Sequence, residues 1–286
     1  MKKSLFASVF LIVACFVVFG QESPKEKFVT VFGAKIRYLE AGEKNEKVVI
    51  LLHGLGANAE LWRFNIAPLS QKFRVIAPDQ VGFGKSDKPF LKYRVLTYVD
   101  FLDKFMTELK IERASLVGNS LGGWISALMA IKYPSRVEKL ILVGSAGILP
   151  PNLNYEEIYL LNGSTREEIK SVLKRFFVNP LFQADAFADE ILSQRVLAND
   201  GYTIQSLIES IKRKEDFLDG KLNQIKSPTL IIWGKEDGLL PVSDAYKFNS
   251  EIAGSKLTIF ENCGHVPQIE KAVEFNRVVE EFLTAR

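Results

Sequence analysis

The chain has 286 residues, of which 47% are apolar and 25% charged, enough apolar residue to bury a large core. Its formal net charge is +3. Setting aside Lys2 and Lys3 leaves 3 − 2 = +1, so the basic balance gives no footprint for nucleic acid. Internal repeats and low-complexity tracts are absent, which removes solenoid and linker architectures from consideration.

In chain order, Lys2 and Lys3 precede an apolar run over residues 5–19, closed by Gly20 and a polar stretch over 21–27. A charged start, an apolar middle and a small residue at the end are the parts of a secretory signal over residues 1–20. Two other readings stay open. Ile12-Val13-Ala14-Cys15 resembles a lipoprotein box, in which Cys15 is lipidated and becomes the mature N-terminus. An uncleaved anchor is the third, although about 15 apolar residues fall short of the ~20 of a membrane span. All three export the protein, as a periplasmic, secreted or membrane-attached chain. Cys263 then has no mature partner, and no intramolecular disulfide is expected.

Residues 28–40 alternate apolar and polar positions around Gly33, a hairpin signal. Short apolar runs follow at 48–52, 73–77, 114–117, 137–143, 229–233 and 256–260. Rich in Val, Ile and Leu, they read as strands buried on both faces. Helical patterns stand between them over 60–72, 96–109 and 121–133, and one over 272–283 closes the chain. Strands alternating with helices mean α/β architecture with a mostly parallel sheet. The alternation breaks over 148–222. There helical patterns at 166–177, 184–197 and 204–211 follow Pro150-Pro151, and no strand-like run appears. The expected organisation is a core of residues 28–147 and 223–286, with a helical cap over 148–222. The cap should lie above the carboxyl ends of the strands, where ligands bind in open α/β sheets.

The sharpest chemical signal is Gly118-Asn119-Ser120-Leu121-Gly122, placed after a strand-like run and before a helical one. A serine on so tight a strand-to-helix turn needs neighbours without side chains, and Gly118 and Gly122 meet that need. The turn exposes the hydroxyl, and the helix N-terminus beyond it supplies backbone N–H groups. A serine nucleophile needs a base poised near neutral pH, for which histidine suits best. The chain has two histidines. His265 follows the last strand and is the candidate base, whereas His53 is expected to be structural.

On these residues the sequence resembles the α/β-hydrolase family over nearly all of 28–285. His53-Gly54-Leu55-Gly56 resembles the family's oxyanion loop, and Asp79 with the stretch 82–86 resembles the loop after the next strand. The stretch 233–237 resembles the acid loop, and Gly264-His265 the histidine loop. The order Ser, Asp, His matches that fold. The resemblance implies a catalytic triad of Ser120, His265 and Asp237, with the backbone N–H groups of Leu55 and Leu121 as the oxyanion hole. It implies a structural Asp79. No cofactor and no metal site is expected: no Cys or His cluster suggests one, and the glycines of 118–123 are committed to the elbow.

Ser120 sets the chain apart from relatives of this fold that carry aspartate at the elbow. The first expectation is a carboxylesterase acting through an acyl-enzyme on a small-molecule ester. The alternatives are a C–C bond hydrolase of ring-fission products and a lipase-like glyceride hydrolase; a non-catalytic binding module stands last. The C–C hydrolases share Asn119 at the elbow, and in them an arginine matching Arg195 binds the substrate carboxylate. Asn119 and Arg195 are therefore candidate substrate-binding residues. The chain departs from those enzymes in its shorter oxyanion loop, in Val266 where they usually carry tryptophan, and in its export signal.

Overall fold

The computed structural model describes residues 23–152 and 154–285. The expected signal or anchor over 1–20 lies outside them. Among the described residues no helix is long and apolar enough to cross a membrane.

The strands are β1 (Lys25–Val31), β2 (Ala34–Ala41), β3 (Val48–Leu52) and β4 (Arg74–Pro78), then β5 (Ala114–Asn119), β6 (Val137–Val143), β7 (Thr229–Gly234) and β8 (Lys256–Phe260). They form one eight-stranded sheet in the order β1-β2-β4-β3-β5-β6-β7-β8. β2 pairs antiparallel with both β1 and β4, and every other pair is parallel. Phe32 and Gly33 join β1 to β2 with φ of 49° and 83°. Two successive positive φ values make the two-residue turn that suits a twisted hairpin.

The helices are α1 (Ile66–Leu69), α2 (Val95–Glu108), α3 (Leu121–Lys132), α4 (Tyr155–Tyr159), α5 (Arg166–Phe176), α6 (Asp185–Ala198), α7 (Gly201–Lys212), α8 (Val242–Glu251), α9 (Pro267–Glu270) and α10 (Ala272–Thr284). Two apolar clusters cover the two faces of the sheet. One gathers residues of α2, α3, α7 and α8, and the other residues of α1 and α10. Every residue of β5 and β7 is buried, which explains their mostly apolar sequence.

Residues 60–72, expected as one helix, are instead a 3₁₀ turn at Ala59–Trp62 followed by the four-residue α1. The cause is Asn65. Its N–H closes on the Trp62 carbonyl at 2.8 Å, and its side-chain amide reaches the Gln268 carbonyl and the Asn276 side chain. Those tertiary bonds replace a second helical turn. The other expected elements stand within a few residues of their sequence positions, while α8 and the short α4 and α9 are additional.

Between β6 and β7 the described residues form α4 to α7 and no strand. Thr165 and Glu168 make a capping box that starts α5, and Asn199 in the left-handed conformation (φ 51°) ends α6. The register then sets the site. Leu52 pairs with Gly118, Asn119 with Val143, and Gly234 with Phe260. The loops leaving the carboxyl ends of these parallel strands therefore emerge along one edge.

Candidate active site

Ser120 sits on the turn between β5 and α3 with φ 55° and ψ −116°. A side-chain-bearing residue there is strained. The strain persists because the backbone is pinned on both sides. The Ser120 N–H donates to the Val143 carbonyl, and the Ser120 carbonyl accepts from the N–H groups of Gly123, Trp124 and Ala146, all at 3.0–3.1 Å. The two flanking glycines are required by contact. A Cβ on Gly118 would stand 2.2 Å from the Gly122 carbonyl oxygen, and one on Gly122 equally close to the Leu52 oxygen.

His265 is carried by the loop between β8 and α9, and its Nδ1 lies 2.7 Å from Asp237 Oδ2. Both side chains are essentially inaccessible, at 1% and 0%. The other oxygen, Asp237 Oδ1, accepts the N–H groups of Leu239 and Leu240, each at 2.9 Å. That turn fixes the carboxylate, and the carboxylate fixes the ring so that Nδ1 carries the proton. Nε2 is the ring nitrogen without a hydrogen-bond partner, free to take a proton from a hydroxyl in the cavity that His265 shares with Ser120. Glu236 points away and accepts the Cys263 N–H at 3.0 Å.

The N–H groups of Leu55 and Leu121 have no acceptor among the described residues. They are the donors expected for an oxyanion. His53 and Asp79 behave as structural groups. His53 Nε2 accepts the Gln80 N–H at 3.0 Å while Nδ1 faces the Gly54 carbonyl at 2.8 Å, and burial lowers its pKa. Asp79 accepts from Ala59, Lys85 and Arg37.

Asn119 lies beside the cavity, but its amide donates to the carbonyls of Val143 and His265, at 3.0 and 3.1 Å. It offers the cavity only its side-chain oxygen and ties the elbow to the histidine loop. Arg195 reaches in from α6. It lines the cavity while donating to the Leu161 carbonyl (3.1 Å) and to Asn162 Oδ1 (2.8 Å), and it stands 3.6 Å from Asp200. Burial lowers its pKa. Gly56 makes room for it, since a Cβ there would lie 2.7 Å from the guanidinium.

Two cavities meet at Ser120. The first, about 150 Å³, holds His265, Arg195, Gln194 and Arg63 along with apolar side chains of α5 and α6. The second, about 230 Å³, is lined by Trp124, Phe217 and Leu240, and by Asp244. A serine set between two compartments can face a molecule whose halves occupy one each. Among the described residues no group of His, Cys, Asp and Glu could hold a metal ion.

Residues 47–184 and 212–272 match the family described as the alpha/beta hydrolase fold. The chain belongs to the α/β-hydrolase family. The hydrolase is 34% identical over 278 residues to the 2-hydroxy-6-oxo-6-(2'-aminophenyl)hexa-2,4-dienoic acid hydrolase of Metapseudomonas resinovorans, covering 91% of each chain. Among solved structures it resembles a meta-cleavage product hydrolase from Pseudomonas fluorescens, with TM-score 0.83 and 30% identity, over 90% of this chain and 97% of that one. It equally resembles a membrane phospholipase A described as a bacterial virulence factor, with TM-score 0.81 and 30% identity, over 91% and 86%.

Sequence reasoning passed over two residues that build this site. Glu270 Oε1 accepts the N–H groups of Val178 and Asn179, while its Oε2 accepts that of Gly264. Phe176 packs its ring 5.0 Å from the His265 ring, and its carbonyl accepts the His265 N–H at 2.7 Å. Both hold the histidine loop to the segment after α5. No local pattern marks them, because Phe176 meets His265, and Glu270 meets Val178 and Asn179, across about ninety residues of sequence.

Proposed function

We propose that the hydrolase cleaves a carbon–carbon bond beside a ketone in an acidic ring-fission product. Ser120 is the nucleophile, His265 the base and Asp237 its orienting acid. Arg195 lining the same cavity as Ser120 and His265 is the observation that carries this reading. A guanidinium there suits the carboxylate of a 2-hydroxy-6-oxo-dienoate, the class named for the Metapseudomonas relative. His265 Nε2 takes the Ser120 proton as the oxygen attacks the ketone, and the Leu55 and Leu121 N–H groups stabilise the oxyanion. The 2-hydroxy-dienoate first takes its 2-oxo form, its hydroxyl proton moving to the carbon beside the ketone. The bond between that carbon and the ketone carbon then breaks, and the conjugated 2-oxo group takes up the electron pair. His265 returns its proton to that oxygen, so the 2-hydroxy-dienoate leaves. Water then hydrolyses the acyl-enzyme through the same histidine.

A second reading, hydrolysis of a carboxylic ester with an apolar acyl chain, is the one first expected from the sequence. It is favoured by the commitment of the Arg195 guanidinium to Leu161 and Asn162, by the largely apolar walls of both cavities, and by the likeness to the phospholipase.

One assay separates them. Wild type and Ser120→Ala are given a 2-hydroxy-6-oxo-6-phenyl-dienoate and p-nitrophenyl esters of increasing acyl length. The C–C reading expects the dienoate to have the higher kcat/KM, with a loss of at least ~10³-fold in Ser120→Ala. Turnover of esters alone gives first place to the ester reading. Full activity in Ser120→Ala removes both.

A further inference from the structure

The second cavity carries a charged group that an apolar substrate half does not use. Val95, Leu121, Trp124, Leu207 and Phe217 line it, and so does Asp244. The Asp244 carboxylate is half-buried, and no hydrogen bond or ion pair from the described residues reaches it. Its neighbours relieve it only in part, through the Lys247 charge. Lys247, one residue-triplet along α8, is bound to Asp219 at 2.6 Å, and Asp219 and Asp237 add like charge. An unpaired carboxylate lining a largely apolar cavity costs free energy that a cationic donor entering from the Ser120 side would recover. An anion entering there would meet the Asp244 charge, with Asp219 and Asp237 adding to it from outside the cavity.

We propose that this cavity takes an apolar substrate portion ending in a protonated amine, with Asp244 as the amine's counter-ion. The inference rests on the proposed hydrolase function only in that this portion belongs to the substrate. The binding itself needs no turnover. Asp244 is then a specificity-determining residue of the second compartment, and the two compartments select opposite charges, with Arg195 in one and Asp244 in the other.

Ionisation sets the pH dependence. Burial, helped by Asp219 and Asp237 and opposed by Lys247, pushes the Asp244 carboxyl up to about 6. The cation should bind best above that pH and lose its advantage below it, where the carboxyl is neutral.

The test is calorimetric binding to the wild-type protein of 4-phenylbutylamine, 4-phenylbutan-1-ol and 4-phenylbutyrate, at pH 8 and pH 5. At pH 8 the amine is expected to bind about tenfold more tightly than the alcohol, the size of one charge-assisted hydrogen bond, and the carboxylate most weakly. The advantage should shrink at pH 5 and vanish in Asp244→Asn, while the alcohol still binds that variant. Asp244→Leu should bind the alcohol and reject the amine, so a folded cavity is demonstrated in the same series. Equal binding of all three, an amine preference that survives in Asp244→Asn, tighter binding of the alcohol than of the amine, or no binding at all overturns the proposal. None of these outcomes depends on Ser120 chemistry, so the assay for the reaction class stands or fails separately.

Discussion

Ser120, with φ 55° and ψ −116°, is held against its own preference by four backbone hydrogen bonds. Asp237 does the same for His265 by a different means. With one oxygen on two backbone N–H groups and the other on Nδ1, its carboxylate can neither rotate nor leave. Asp237→Asn keeps the volume but can offer its amide to Nδ1, which turns the ring into the wrong tautomer. A loss in kcat on the order of 10⁴ is expected, with little change in melting temperature, as measured by hydrolysis kinetics and circular dichroism. A loss under tenfold would assign the orienting role elsewhere. Asp237 was readable from its place in the chain, but the Leu239 and Leu240 N–H groups that fix it were not, because an acceptor pattern depends on backbone angles.

At the scale of elements, the segment between β6 and β7 is stapled to the sheet edge through the histidine loop. Glu270 at the end of α9 joins Val178 and Asn179 to Gly264, and the Phe176 carbonyl at the end of α5 holds the His265 N–H. Gly264 is required by the same approach, since a Cβ there would sit 2.2 Å from the Phe176 carbonyl oxygen. Glu270→Gln retains the shape but removes the charge and one acceptor. A drop in kcat of about tenfold is expected, with KM nearly unchanged and a stability loss of about 1–3 kcal/mol in urea unfolding. If kcat holds and only stability falls, Glu270 supports the fold and not the position of His265. The broken helix at 60–72 belongs to this scale too. Its period was helical, but Asn65 found partners more than two hundred residues away. Local pattern cannot foresee that.

For the whole molecule, carboxylates of two kinds set the response to pH. Burial would raise Glu60, yet the Arg37 hydrogen bonds hold it below its ordinary value. Hydrogen bonds from Lys85 and then Arg37 lower Glu26, and those from Lys27 and Lys25 lower Glu43. Depressed folded-state values mean stability that is present above the unfolded value of 4.5 and lost as pH falls through the folded ones. Glu26 and Glu43 are largely exposed, so salt should weaken their share. Asp244 acts in the opposite sense. Its value is raised from 3.8 to about 6, so the folded state holds the extra proton and stability falls as pH rises through that window. Melting curves should show wild type losing stability below pH 4.5. Asp244→Asn should melt higher than wild type at pH 7, and the gap should close toward pH 4. A gap independent of pH would mean that the carboxyl is not desolvated as the structure describes.

The sequence by itself determined the architecture, the elbow and the likeness to the family, for a physical reason. Alternating apolar periods and obligatory glycines are local constraints, and a chain cannot fold this way without displaying them. Ser120 and His265 were legible because each chemistry admits few residue types at few places. The sequence left the reaction class open, and ester cleavage came first in that reading. Only the tertiary structure brought Arg195 into the Ser120 cavity while bonding it to Leu161 and Asn162, committed the Asn119 amide to two carbonyls, and set Asp244 against a second cavity without a side-chain partner among the described residues. What a side chain can offer a substrate depends on the partners already holding it, and those partners come together only when the strands stack in register and the helices close over them.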